Sequence, residues 1–107
     1  MSVDGLTKMT KIEVVVPGEN VPAVREQFRS AGATGFTSVS GVSGLGHNGY
    51  HQGRLLFNQQ SALELLISVV PEAKSAALIV GLRRLLDESP GVMFVTDTYV
   101  SRPEYFG

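Results

Sequence analysis

Two rhythms of apolar residues run along this chain. From Lys11 to Val16 the residues are mostly β-branched, and Pro17–Gly18 stops the run, which predicts a strand. Val21, Val24, Phe28 and Ala31 then recur at helical spacing, with Arg25, Glu26 and Arg29 off that face. Asn20 is placed to cap this helix, Pro22 falls in its first turn, and Gly32 ends it. A second strand is predicted over about 35–42, and Arg54 to Phe57 reads as a short extended piece.

The run from Ser61 to Val70 has two readings. Its Leu and Ala residues favour helix, whereas Ile67 to Val70 and the following Pro71 favour a buried strand. The strand reading is preferred, because a helix over 72–88 has its own start at Pro71. That helix places Ala73, Ala77, Val80 or Gly81, and Leu85 on one side, and Ser89-Pro90-Gly91 breaks it. Val92 to Val100 is the last strand, and Ser101 to Gly107 is a tail carrying Arg102, Pro103, Tyr105 and Phe106. Residues 1–10 are polar and aperiodic, and are expected to form a disordered extension to a single domain over 11–107.

The resulting order is βαββαβ, an α+β ferredoxin-like arrangement of an antiparallel sheet with two helices on one face. Its unusual feature is a long glycine-rich loop between the second and third strands. Seven of the twelve glycines lie between Gly32 and Gly53. Glycine permits positive φ and close approach of a ligand. A bare linker would not carry Phe36, Val39, Val42, Leu45 and Tyr50 at intervals, so the segment reads as a mobile binding loop rooted in a strand.

Composition narrows the functions. A formal net charge of −1 gives no reason to expect nucleic acid. There is no cysteine, hence no disulfide framework or thiol nucleophile. No apolar run has membrane-spanning length and no secretory signal is evident, so a cytoplasmic location is expected. With 107 residues the core is modest, which favours a small oligomer.

Several segments together resemble the PII signal-transduction proteins. Thr34-Gly35-Phe36-Thr37, followed by Val42-Ser43-Gly44-Leu45-Gly46, is similar to that family's second strand and T-loop entry, Thr-Gly-Met-Thr and then Val-Lys-Gly-Phe-Gly. Val69-Val70-Pro71-Glu72 is similar to its Val-Val-Pro-Asp, and the stretch from Gly91 to Asp97 to its Gly-Lys-Ile-Phe-Val-x-Asp. Lys11-Ile12-Glu13 and Val24-Arg25-Glu26 match the first strand and helix. The chain also departs from the family. Its phosphate loop, Thr-Gly-x-x-Gly-Asp-Gly-Lys, is replaced by Asp87-Glu88-Ser89-Pro90-Gly91-Val92, and the C-terminal arginine pair is reduced to Arg102. The chain is most like the divergent carboxysome-associated PII proteins, linked to bicarbonate uptake.

The resemblance implies a homotrimeric, non-enzymatic sensor with nucleotide clefts between subunits. The implied nucleotide set is Val15, Gly35, Phe36, Thr37, Gly44, Leu45, Gly46, Val69, Gly91 and Arg102. Val15, Phe36, Thr37 and Val69 match an adenine slot, while Gly44, Gly46 and Arg102 face the phosphates. Bicarbonate suits the same two glycines with Arg102 and Arg54, through a guanidinium fork and free N–H groups. Without the phosphate-loop lysine, ADP or AMP is favoured over ATP. No metal is implied. The partner would be a transporter or regulatory protein, in inorganic carbon (bicarbonate) transport.

Two other readings remain open. One is a small ferredoxin-fold enzyme such as a nucleotidase, with His47, His51 and Tyr50 as its acid-base candidates. The other is a cation-responsive trimer of similar fold. His47 and His51 have metal-ligand spacing only if helical, so they read as a solvated pair. No nucleophile–base–orienter set is recognisable, which weakens the enzyme reading.

Overall fold

The computed structural model describes residues 2–42 and 62–107. In chain order these form β1 (Ser2–Val3), β2 (Leu6–Pro17), α1 (Val21–Ser30), β3 (Thr37–Val42), β4 (Leu63–Val70), α2 (Glu72–Leu86) and β5 (Val92–Val100). Short 3-10 turns occupy Gly18–Asn20 and Pro103–Tyr105.

β2 is the central strand. It pairs antiparallel with β4 on one edge (Thr10↔Val70 to Pro17↔Leu63) and with β5 on the other (Thr7↔Val100 to Val15↔Val92). β3 pairs antiparallel with β4, so the order across the sheet is β5-β2-β4-β3. Thr7 pairs with both Ser2 and Val100, which puts β1 on the edge of β2 that β4 has vacated. This is the ferredoxin-like α+β architecture expected, with β2 to β5 as its four strands.

Alternation along β2 decides which face is covered. Ile12, Val14 and Val16 are buried, and pack with Leu66 and Val70 of β4, Val21, Val24 and Phe28 of α1, and Leu78 and Leu82 of α2. Each such side chain contributes roughly 1.5–3 kcal/mol on leaving water. The opposite face carries Val15 on β2, Leu65, Ile67 and Val69 on β4, and Val92 and Phe94 on β5, with no helix over it. Phe94 is 51% exposed there.

Three local expectations are corrected. Residues 1–10 were expected to be disordered, but they hold β1, an Asp4–Gly5 turn and the start of β2. Asp4 (φ 50°) and Gly5 (φ 82°) both have positive φ, the signature of a two-residue hairpin turn. Asn20 occupies the position before α1 but makes no side-chain capping bond. In α2 the buried residues are Leu78 and Leu82, whereas Ala73, Ala77 and Val80 are exposed. Leucine buries more apolar surface than alanine, so this stripe wins the core position. Gly81 lies where α1 crosses α2: a Cβ there would run into the side chain of Gln27.

No helix among the described residues is long and apolar enough to cross a membrane.

Candidate functional site

The expected site residues within the described structure fall into two groups, one around the entry to β3 and one where the start of β5 meets the end of β2. The first group surrounds the connection from α1 into β3. Gly32, with φ +87°, ends α1 and turns the chain. The hydroxyl of Ser68, buried in β4, donates to the carbonyl oxygen of Gly35 at 2.9 Å. This bond fixes Gly35 just before β3 begins. Thr37 then pairs with Ile67. Thr37, Ile67 and Val69 therefore share the face that no helix covers.

Phe36 points to the helix side. Its ring lies 5.8 Å from that of Phe28, and the guanidinium of Arg25 sits 5.1 Å from its centroid. Neighbouring on α1, Arg29 is taken by Glu26 in an exposed hydrogen-bonded ion pair. The Arg29 hydrogen bond, reinforced by its charge, holds the Glu26 carboxyl below its ordinary pKa, and the same pair raises that of Arg29. Among the described residues Arg25 has no carboxylate partner.

The tail joins this group. Thr34 donates from Oγ1 to the carbonyl oxygen of Tyr105 at 3.0 Å. Arg102 donates from Nη1 to the Tyr105 hydroxyl at 3.1 Å, with its guanidinium 5.7 Å from the Tyr105 ring centroid. Lys74, in the first turn of α2, donates from Nζ to the carbonyl oxygens of Gly32 at 2.9 Å and Gly107 at 3.4 Å. These contacts bring Arg102, Gly35, Phe36 and Thr37 into one neighbourhood.

The second group is Val15 and Gly91. Gly91 has φ +141°, and a Cβ there would stand 2.8 Å from the Val15 carbonyl oxygen, 2.8 Å from Val16 Cγ1 and 2.9 Å from Leu86 Cδ2. Only glycine lets the α2–β5 connection lie this close to the end of β2. From the β3 edge to the β5 edge there are three strand spacings, or about 14 Å. One chain therefore does not bring Gly91 against Phe36 and Thr37. Gly44, Leu45, Gly46 and Arg54 lie outside the described residues, as do His47, Tyr50 and His51 and the short strand expected over 54–57.

Sequence reasoning passed over Arg25, Ser68, Lys74 and Tyr105. Ser68 carried a signal, since it interrupts the apolar run from Leu65 to Val70, and a buried hydroxyl needs a partner. The others become visible only once the tail and α1 are placed against the connection. Among the described residues there is no group of three or more His, Asp or Glu able to hold a metal ion. A groove of 220 Å³ on α2, lined by Val80, Arg83, Arg84 and Asp87, contains none of the expected site residues.

The model of the family "Nitrogen regulatory protein P-II" matches residues 9–105. Among solved structures, CPII from Thiomonas intermedia K12, a nitrogen regulatory PII-like protein bound to ADP, AMP and bicarbonate, is 34% identical with a TM-score of 0.83 over 94% of this chain and 95% of its own. CPII bound to ADP and bicarbonate is 31% identical with a TM-score of 0.82, over 95% and 97% of the two chains. The B. subtilis GlnK–ATP complex, at 21% identity and a TM-score of 0.61 over 92% of this chain and 84% of its own, is alike in fold. No curated protein matches the chain.

Proposed function

The chain belongs to the nitrogen regulatory protein P-II family, and we propose that it is a non-enzymatic signalling protein that binds ADP or AMP together with bicarbonate in clefts between subunits of a homotrimer. The observation that carries this reading is the division of the site. Gly35, Phe36, Thr37 and Arg102 gather at the β3 edge, while Gly91 leads into β5 at the other edge and abuts Val15 of the central strand. A cleft containing both groups needs the β3 edge of one subunit beside the β5 edge of another.

The uncovered sheet face supports assembly. Val15, Leu65, Ile67, Val69, Val92 and Phe94 form an apolar surface with no helix over it, and such a surface favours association. The ligand class rests on the likeness to CPII, which was solved with ADP, AMP and bicarbonate. ADP or AMP is preferred over ATP because the Asp87–Val92 connection carries no lysine for distal phosphates. We place the protein in the cytoplasm, acting on a partner in inorganic carbon transport. The glycine-rich loop, with Gly44, Leu45, Gly46 and Arg54, supplies N–H groups and a further cation to the ligand.

A thermal-shift screen of AMP, ADP, ATP and cyclic AMP, each with and without bicarbonate, tests the reading. A ligand that binds only the folded state raises the melting temperature by mass action. ADP or AMP with bicarbonate is expected to give the largest rise. Phosphate release from ADP or ATP during the incubation would instead favour a nucleotidase.

A further inference from the structure

We propose that Arg25 is an oxyanion-binding residue of the nucleotide and bicarbonate site, acting beside Arg102; this rests on the functional reading above. Two arginines flank the connection into β3, each with its guanidinium near an aromatic ring. Arg102 donates to the hydroxyl of Tyr105, whose carbonyl oxygen accepts from Thr34. Arg25 sits over the ring of Phe36, two residues further along, 5.1 Å from its centroid. Gly35 stands between those two positions and is itself fixed by Ser68.

The chemistry of a guanidinium over a ring explains why this matters. The ring face attracts the cation and leaves its N–H donors free, arranged as a planar fork that fits a carboxylate, phosphate or bicarbonate. That attraction also restricts the side chain beforehand, so less entropy is lost when a ligand arrives. Arg25 meets both conditions. Its ring contact holds it, while Glu26, the acid next to it in the chain, is committed to Arg29. The 87–92 connection lacks the lysine expected at the phosphates. A second guanidinium at the β3 entry restores part of that positive charge. Phe36 accordingly holds Arg25 on the helix side of the connection, while Thr37 and Val69 lie on the uncovered face.

The oxyanion has two sources, a nucleotide phosphate or bicarbonate, and calorimetry separates them. The full chain and its Arg25→Ala, Arg25→Lys and Arg83→Ala variants are titrated with ADP, adenosine and bicarbonate. Arg25→Ala is expected to weaken ADP or bicarbonate by about tenfold or more, the loss of one charge-assisted hydrogen bond. A loss for ADP that spares adenosine assigns the phosphate, and a loss confined to bicarbonate assigns that anion. Arg25→Lys recovers only part, since a point charge lacks the planar fork. Arg83→Ala removes an equal charge on the exposed side of α2, away from the site residues, and binds as the unaltered protein does, which excludes a general loss of positive charge. If the unaltered protein binds and Arg25→Ala binds both anions equally well, the inference is overturned and the functional reading stands. If the unaltered protein binds none of the ligands, the functional reading fails and the role of Arg25 falls with it.

Discussion

Gly91 stands directly against the backbone of Val15, with room for no Cβ: a methyl group there would meet the Val15 carbonyl oxygen at 2.8 Å. Both residues had been expected at the nucleotide site, and the contact gives Gly91 a structural duty as well. With φ at +141°, an alanine would be strained in its backbone and overpacked at once. Gly91→Ala is therefore expected to destabilise the fold by about 2–4 kcal/mol. Chemical denaturation measures this, and a loss below about 0.5 kcal/mol would show that the connection relaxes freely.

Glu26 and Arg29 give a pH-dependent prediction. The carboxyl pKa of Glu26 is lowered in the folded protein from its ordinary 4.5, first by the Arg29 hydrogen bond. A group with a depressed folded pKa adds stability above its unfolded pKa, and that stability is lost as pH falls through the folded value. The effect is confined to acid conditions and leaves neutral pH untouched. Proton NMR titration of Glu26 should give a midpoint below 4.5, returning to the ordinary value in Arg29→Ala. An identical midpoint in both proteins would show that the pair does not form in solution.

Much of the fold was legible because strands and helices bury different periodicities. The apolar run ending at Pro71 was read as a strand against its helical composition, and Leu63–Val70 is β4. The opening hairpin was also written in the chain, as the dipeptide Asp4–Gly5, but the polar residues around it masked the alternation. In α2 the spacing fitted more than one face, and side-chain size chose Leu78 and Leu82. The site was legible as a set of short motifs and not as an arrangement. Strand order, which separates Phe36 from Gly91, is a long-range property that no local pattern carries. Nor does any spacing reveal that Arg25 sits over the ring of Phe36.

Arg102 is held by Tyr105 through a hydrogen bond and its ring. Arg102→Ala is expected to weaken nucleotide or bicarbonate binding by roughly 1.5–3 kcal/mol, about tenfold or more, without dissociating the trimer. Arg102→Lys should recover only part of the loss, because an ammonium cannot reproduce the fork. Calorimetry on the two variants, with sedimentation to verify assembly, checks this. If Arg102→Ala bound both ligands as the unaltered protein does, the anion would be held by loop N–H groups, Arg25 or Arg54.

The central claim is that neighbouring subunits together build a cleft for ADP and bicarbonate. Calorimetric titration of ADP into the protein, with bicarbonate in both solutions, tests it most directly. The account predicts saturable binding with one ADP per chain, as three equivalent clefts in a trimer require. An absence of saturable binding up to about 1 mM ADP, where the binding free energy is only about −4 kcal/mol, would contradict it.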